Sequence, residues 1–405
     1  MGPSIDVVIP FPTADIEDRE PPRRAEVEAV VRGVATAVAP TGVPDGLTPV
    51  QRAVLNALAE SMTGIVVDAA VCEPLGPDEF AEVLRFRSGE FRIRMVQMML
   101  LAELLLVPLP VELTEQVERN AQRLGVCDQL MKVARRVAHG SLGLALIDFQ
   151  RSGYFQRLVE RPPEHLHTST ALEDAWQFAC NDPALYERWV ALEQCPDGSL
   201  GQGVWRFYKA RGFTFPGHPK SAPPTLAQHD WVHVLADYGS TVECEIEVFG
   251  LISRANDDPG AFSLLAMVLG LFETGYFFDA ANGFFAYDRG HISRDPERMA
   301  ARLADAMFRG AKLAWFLDDR DRSDETDLLA TDWFAYADWA IDDVRAHLGL
   351  LPKSERAIDA NSVGPWDPGG ISPFQYGCGQ ELAESENRAY DSYGAVPPDA
   401  DLPAS

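Results

Sequence analysis

The sequence lacks a C-x-x-C pair, a G-x-G-x-x-G after a strand, a Walker pattern, a G-x-S-x-G elbow and any apolar run long enough to span a bilayer. Dinucleotide-binding, P-loop and serine-hydrolase chemistries are excluded on that ground. Cysteine is sparse and scattered: Cys72, Cys127, Cys180, Cys195, Cys244 and Cys378 form no framework spacing, which fits free thiols in a reducing compartment. Positive charge is also short. Against 61 Asp and Glu stand 35 Lys and Arg, and a net charge of −26 repels a phosphate backbone or an anionic leaflet, so no nucleic acid is expected. The opening MGPSIDVVIPFPTADIEDRE has neither a basic n-region nor a sustained apolar core, and Asp6 stands where a myristoylation site has Ser or Thr. The expected location is cytoplasmic.

What remains is 405 residues, 46% of them hydrophobic, enough to bury a substantial core. The two most apolar stretches, Met95 to Pro110 and Ala261 to Phe272, hold acids or prolines and are too short to span, so both are expected to be buried core helices. No strand alternation occurs, and the expected fold class is all-α: two helical domains between disordered termini. Residues 1–45, rich in Pro, charge and small residues, read as a mobile arm. A helical interaction domain, 46–160, starts at Thr48 as cap with Pro49 at the first helical position, and continues as one long helix over residues 129–151 at its end. After the Pro-containing connector at Arg161, a second helical domain occupies 161–356, and 357–405 read as a disordered acidic tail whose aromatics can dock.

Chemistry concentrates between Thr225 and Asn256. Thr225 with Gln228 forms a capping-box pattern, and His229 and His233 follow at i and i+4, the spacing that puts two imidazoles on one helical face for a single metal ion. Gly239 ends that helix, and Ser240 with Glu243 repeats the capping pattern. On the next helix Glu243, Glu247, Gly250 and Arg254 read as a solvated face. Glu245 instead shares its face with Val248, Phe249 and Ile252, where a carboxylate needs a partner, and a cation on His229 and His233 supplies one. Asp230, turned about 100° round the helix from His229, is either a fourth ligand or an orienting carboxylate. An apolar pocket is expected from Phe249, Leu251, Ile252 and parts of residues 261–272. Elsewhere the acids Asp68, Glu73, Asp78 and Glu79 read as a solvated helix end, the loop Asp318 to Asp327 as a solvated acidic loop without the glycine of a calcium loop, and the other histidines as structural or exposed.

Written as H-D-x-x-H, eleven residues and a Glu, the segment HDWVHVLADYGSTVECE resembles the defining motif of the coenzyme Q (ubiquinone) biosynthesis protein four family, with His229, Asp230, His233 and Glu245 on its four positions. PDGSLGQGVWRFYKARGFTFPG upstream is similar to that family's Gly-Thr/Ser-Leu-Gly segment, and DWFAYADWAIDDVRAHLGLLP downstream to its closing helix. The resemblance implies an all-helical fold and a divalent metal on those residues, zinc first and iron as the alternative. It implies a prenylated or other apolar aromatic ligand, and ring decarboxylation or hydroxylation with Asp230 and Glu245 as catalytic carboxylates. It also implies transient membrane-surface contact and partners in a biosynthetic complex or a homo-oligomer. The alternative is a non-catalytic prenyl-binding or scaffold protein with a structural metal. Family members are normally short single domains, whereas here about 150 residues precede the likeness. That first region is weakly similar to tellurite-resistance protein B-like helical domains and holds no constellation that requires chemistry.

Overall fold

Thr48 and Gln51 exchange hydrogen bonds across the first turn of the helix that opens with Pro49, Gln51 N donating to Thr48 Oγ1 over 3.3 Å and Thr48 N to Gln51 Oε1 over 3.1 Å. This reciprocal cap satisfies two of the donors that a helix start leaves unpaired. The computed structural model describes residues 24–43, 46–63, 65–69, 73–150, 164–168, 181–276 and 289–398. Sixteen α-helices lie among them: α1 Arg24–Ala37, α2 Pro49–Thr63, α3 Pro77–Val83, α4 Gly89–Glu103, α5 Val111–Arg123, α6 Leu130–Ala138, α7 Leu142–Gln150 and α8 Pro183–Val190. There follow α9 Leu200–Arg211, α10 Pro224–Ala236, α11 Val242–Ala255, α12 Phe262–Leu269, α13 Pro296–Asp318, α14 Ile341–Leu348, α15 Glu355–Asp359 and α16 Pro373–Ser385. No strand occurs among the described residues, only isolated bridges at Ser199 with Ala340 and Pro368 with Val396. The fold is all-α.

The amino-terminal boundary differs from expectation. Residues 1–23 lie outside the described residues, but α1 is folded: Val27, Val30, Val31 and Val34 form a helical stripe buried to 4% exposure or less. Gly33 allows the Phe80 ring to lie against it, since a Cβ there would come within 2.3 Å of the ring. Buried Arg87 and Glu26 pair across the same contact. The helix over residues 129–151 is instead two, α6 and α7, because Gly140 takes φ 70° between them. The second apolar stretch is core, and so is the first up to Leu106, although its helix ends at Glu103 and Val107 is 58% exposed. α4 buries every residue from Met95 to Glu103, α12 is buried nearly all round, and no described helix is long and apolar enough to cross a membrane.

Helix α13 is the central element, packed against α2 on one side and α11 on the other, while α4 meets α12. Arg94 on α4 donates to the carbonyls of Asn256 and Asp257 over 3.0 and 2.9 Å, just past the end of α11. One hydrophobic core therefore runs through both helical regions, from Val27 to Leu350. The division expected near residue 160 is not a break in packing.

The expected disordered tail is ordered through residue 398. After α15 the chain forms a glycine-rich loop, enters α16 through a full capping box of Ser372 with Gln375, and returns to the bridge at Val396. Ile371 and Ala395 are fully buried. Glycine here serves close backbone approach: a Cβ on Gly379 would lie 2.1 Å from the Ala210 carbonyl. The aromatics do dock, with Tyr390 Oη donating to Ala210 O over 2.9 Å and Trp366 meeting Tyr393 edge-on.

Candidate metal centre

Helix α10 starts two residues earlier than its sequence suggests. Pro223 is the cap and Pro224 the first helical residue, so Thr225 sits inside the first turn and makes no capping box. The helix ends at Asp237, which takes the left-handed conformation at φ 62°. Its last carbonyls meet three cations: Arg345 Nε donates to Leu235 O over 2.7 Å, Arg309 Nη2 to Ala236 O over 2.9 Å, and Lys353 Nζ to Asp237 O over 2.7 Å. Cations at this end satisfy the orphan carbonyls and the negative pole of the helix dipole. Helix α11 begins after Thr241, one residue later than Ser240, and its first turn carries Glu243 and Glu245 at the positive pole.

This geometry brings His229, His233 and Glu245 together, with a ligand atom of each within 4.8 Å of the others. His233 is fully buried, and its Nδ1 lies 2.7 Å from the Gly239 carbonyl. The Nδ1 of His229 meets the Leu226 carbonyl. A carbonyl accepts only, so both Nδ1 atoms carry a proton, and both Nε2 atoms face Glu245. The separations are 3.4 Å from His229 Nε2 to Glu245 Oε2 and 3.3 Å from His233 Nε2 to Oε1. Two ligand atoms on one tetrahedral zinc, each at about 2.0–2.1 Å, lie about 3.3–3.4 Å apart. Two imidazole nitrogens facing a carboxylate at that distance are balanced either by protons on Nε2 or by a metal ion between them, and His233 Nε2 is a buried atom with no hydrogen-bond partner. The donor set fits a divalent metal.

Electrostatics point the same way. Burial drives the Glu245 carboxyl up, but His233 and His229 more than reverse this and hold it well below the usual carboxylate range. Burial likewise lowers His229, and the carboxylates of Asp230 and Glu245 outweigh it and raise the imidazole to about 9. The cluster is built to hold positive charge.

Asp230 does not point with the other three. Its Oδ2 accepts from the Tyr208 hydroxyl of α9 over 2.6 Å, while Oδ1 stands 3.5 Å from His229 Nε2. It borders the centre as a second carboxylate, raised by burial and lowered in part by the two imidazoles. The tyrosine that fixes it went unread in the sequence; it lies in the RFYKAR segment of α9, with no spacing to mark it. Phe207 stacks on His233 with centroids 5.3 Å apart, and Phe249 lies 5.1 Å from the His229 ring. Of the three expected pocket residues, Phe249 meets the His229 ring, and Leu251 and Ile252 are fully buried in the packed core. His229, with 13% of its side chain exposed, is the solvent-facing edge, next to exposed Leu226.

The face expected to be solvated is an interface. Glu247 is fully buried and paired with Arg302 over 2.5 Å, Gly250 lies against Leu303 of α13, and Arg254 is 6% exposed. The helix partner on that side came from too far along the chain for its periodicity to reveal. Of the other acids, Asp68 pairs with Arg52, Asp78 with Arg123 and Glu325 with Arg322, while Glu73, Asp78 and Glu79 are exposed, as expected of a solvated helix end. Among the described residues, Cys127, Cys195, Cys244 and Cys378 are free thiols, and Cys72 and Cys180 lie outside them. The chain matches no protein-family model, no curated protein and no solved structure.

Proposed function

We propose that this chain holds one divalent cation, zinc or ferrous iron, on His229, His233 and Glu245, and binds and acts on a prenylated or otherwise apolar aromatic acid of the quinone-precursor type. The observation that carries the metal reading is the pair of Nδ1 hydrogen bonds to Leu226 and Gly239, which leaves both Nε2 atoms, the positions a metal ion would take, facing Glu245. A bound divalent cation supplies Lewis acidity toward a phenol or carboxylate, and iron adds access to oxygen chemistry. Around it the chain's own groups have distinct roles. Phe249 and Leu226 give an aromatic ligand an apolar approach beside His229. Asp230, held by Tyr208, is the carboxylate placed to accept a proton from that ligand. The aromatic ligand and the ring chemistry draw on the likeness of the H-D-x-x-H motif to the ubiquinone-biosynthesis family.

A second reading, a structural cation in a prenyl-binding scaffold, draws on the same Asp230. With Oδ1 3.5 Å from His229 Nε2, this carboxylate is near enough to complete a closed four-ligand sphere. Elemental analysis of the purified chain tests the metal reading. We expect about one equivalent of zinc or iron, lost in a His229→Ala, His233→Ala double variant that keeps its helicity. Absence of metal after reloading sinks the reading. Loaded protein is then incubated under air with a prenylated hydroxybenzoate: release of carbon dioxide supports catalysis, and retention of the unchanged ligand favours the scaffold.

A further inference from the structure

The chain beyond α15 returns across the turn that joins α10 to α11, directly behind His233. Gly239 N donates to Val363 O and Ser240 N to Gly370 O, each over 2.9 Å. Ser240 Oγ donates to Gln375 Oε1 over 2.7 Å. Arg211, fully buried at the end of α9, ties the layers together: its Nε donates to Ser240 Oγ, and its Nη2 to the carbonyls of Pro365 and Gly370, each over 2.9 Å. Its guanidinium lies 3.8 Å from the centre of the Phe207 ring, and that ring stacks on His233. Lys353 closes the other side, donating to Asp237 O over 2.7 Å and Ser362 O over 3.3 Å.

The fit depends on three glycines. A Cβ on Gly239 would stand 2.7 Å from Gly370 Cα, one on Gly370 2.1 Å from Gly364 O, and one on Gly364 2.3 Å from Asp237 Oδ1. Backbone thus lies on backbone, and the peptide that offers its carbonyl to His233 Nδ1 is held by its own N–H from the other face. We propose that this strap, Ser362 to Gln375, is a positioning element of the metal centre. It fixes the Gly239 carbonyl, and that carbonyl decides which ring nitrogen of His233 faces Glu245. The inference rests on the metal reading for one of its two readouts only.

The test uses the full chain labelled with nitrogen-15 at histidine. Ring-nitrogen shifts of metal-free protein report the His233 tautomer, and Zn(II) titration reports affinity. Wild type is expected to show the Nδ1-protonated form. Gly370→Ala, which pushes a methyl into the strap, is expected to mix the tautomers and weaken Zn(II) binding by about tenfold or more. Ser240→Ala, which removes the hydroxyl between Arg211 and Gln375 without adding bulk, is expected to shift both readouts in the same direction, and it decides the question if Gly370→Ala does not fold. Gly377→Ala, on α16 with open space around it, is the control and is expected to change neither. Wild-type ring shifts in both Gly370→Ala and Ser240→Ala overturn the proposal, as does an equal loss in the control. If wild type binds no Zn(II), the metal reading fails, and the ring shifts alone decide the role of the strap.

Discussion

Tyr208 reaches the centre from α9 and spans 22 positions to Asp230. Desolvation and the adjoining carboxylate push its phenol well above the ordinary tyrosine range, so the hydroxyl remains a donor at every physiological pH. Tyr208→Phe keeps the ring between Trp189 and Phe215 and removes only the hydroxyl that anchors Asp230 Oδ2. We expect metal affinity to fall by about 10- to 100-fold, as for other outer partners of metal sites. We expect stability to fall by about 1–3 kcal/mol from the buried acceptor left unpaired. Competitive metal titration and chemical denaturation check the two. The His229, His233 and Glu245 group was legible in the sequence, because i, i+4 spacing and a lone acid on an apolar face are local patterns. Tyr208, Arg211 and the Gly239 carbonyl were not. Each acts through a contact between elements, and a carbonyl leaves no mark on residue identity at all.

Among the elements, α11 shows how a helix with acids on two faces is resolved. Glu247 is paired with Arg302 of α13, Glu245 faces the imidazoles of α10, and Glu243 meets His291 in the segment before α13, with Oε1 and Nδ1 2.8 Å apart. Burial raises the Glu243 carboxyl, but the hydrogen bond from His291 together with the helix start brings it to about 2, below the ordinary 4.5. A carboxyl depressed on folding stabilises the native state above the unfolded value and loses that contribution as pH falls through the folded value. Glu243→Gln should therefore lower the denaturation midpoint at pH 6, and the gap to wild type should close as the pH drops from about 4.5 toward 2. An equal gap at pH 6 and pH 2.5 would exclude this pair as the cause. Helix existence was readable between Thr48 and Gly349, where caps and stops are local chemistry, but not at the two ends of the chain. The burial of the Glu247 face was unreadable, because it depends on α13, more than forty positions downstream.

At the scale of the molecule, α13 ties the two regions together, and the tail completes the second. All eight tryptophans lie at position 176 or later, so their fluorescence reports the second region, whereas far-ultraviolet circular dichroism reports helices of both. A shared core predicts coincident unfolding curves in urea by the two probes, and two separated transitions would contradict it. Composition misled at both ends of the chain: a valine stripe in α1 was hidden by charge and small residues around it, and the glycines of the tail were read as looseness where they permit contact. The pairing of α2 with α13 also has a consequence in time. Between the end of α2 at Thr63 and the start of α13 at Pro296 the ribosome must add more than two hundred residues. At about 5–20 residues per second, the face of α2 that meets α13 waits for its partner roughly 10–50 s during synthesis. For that interval the nascent chain is expected to present an apolar helix face that stays uncovered until the second region has emerged.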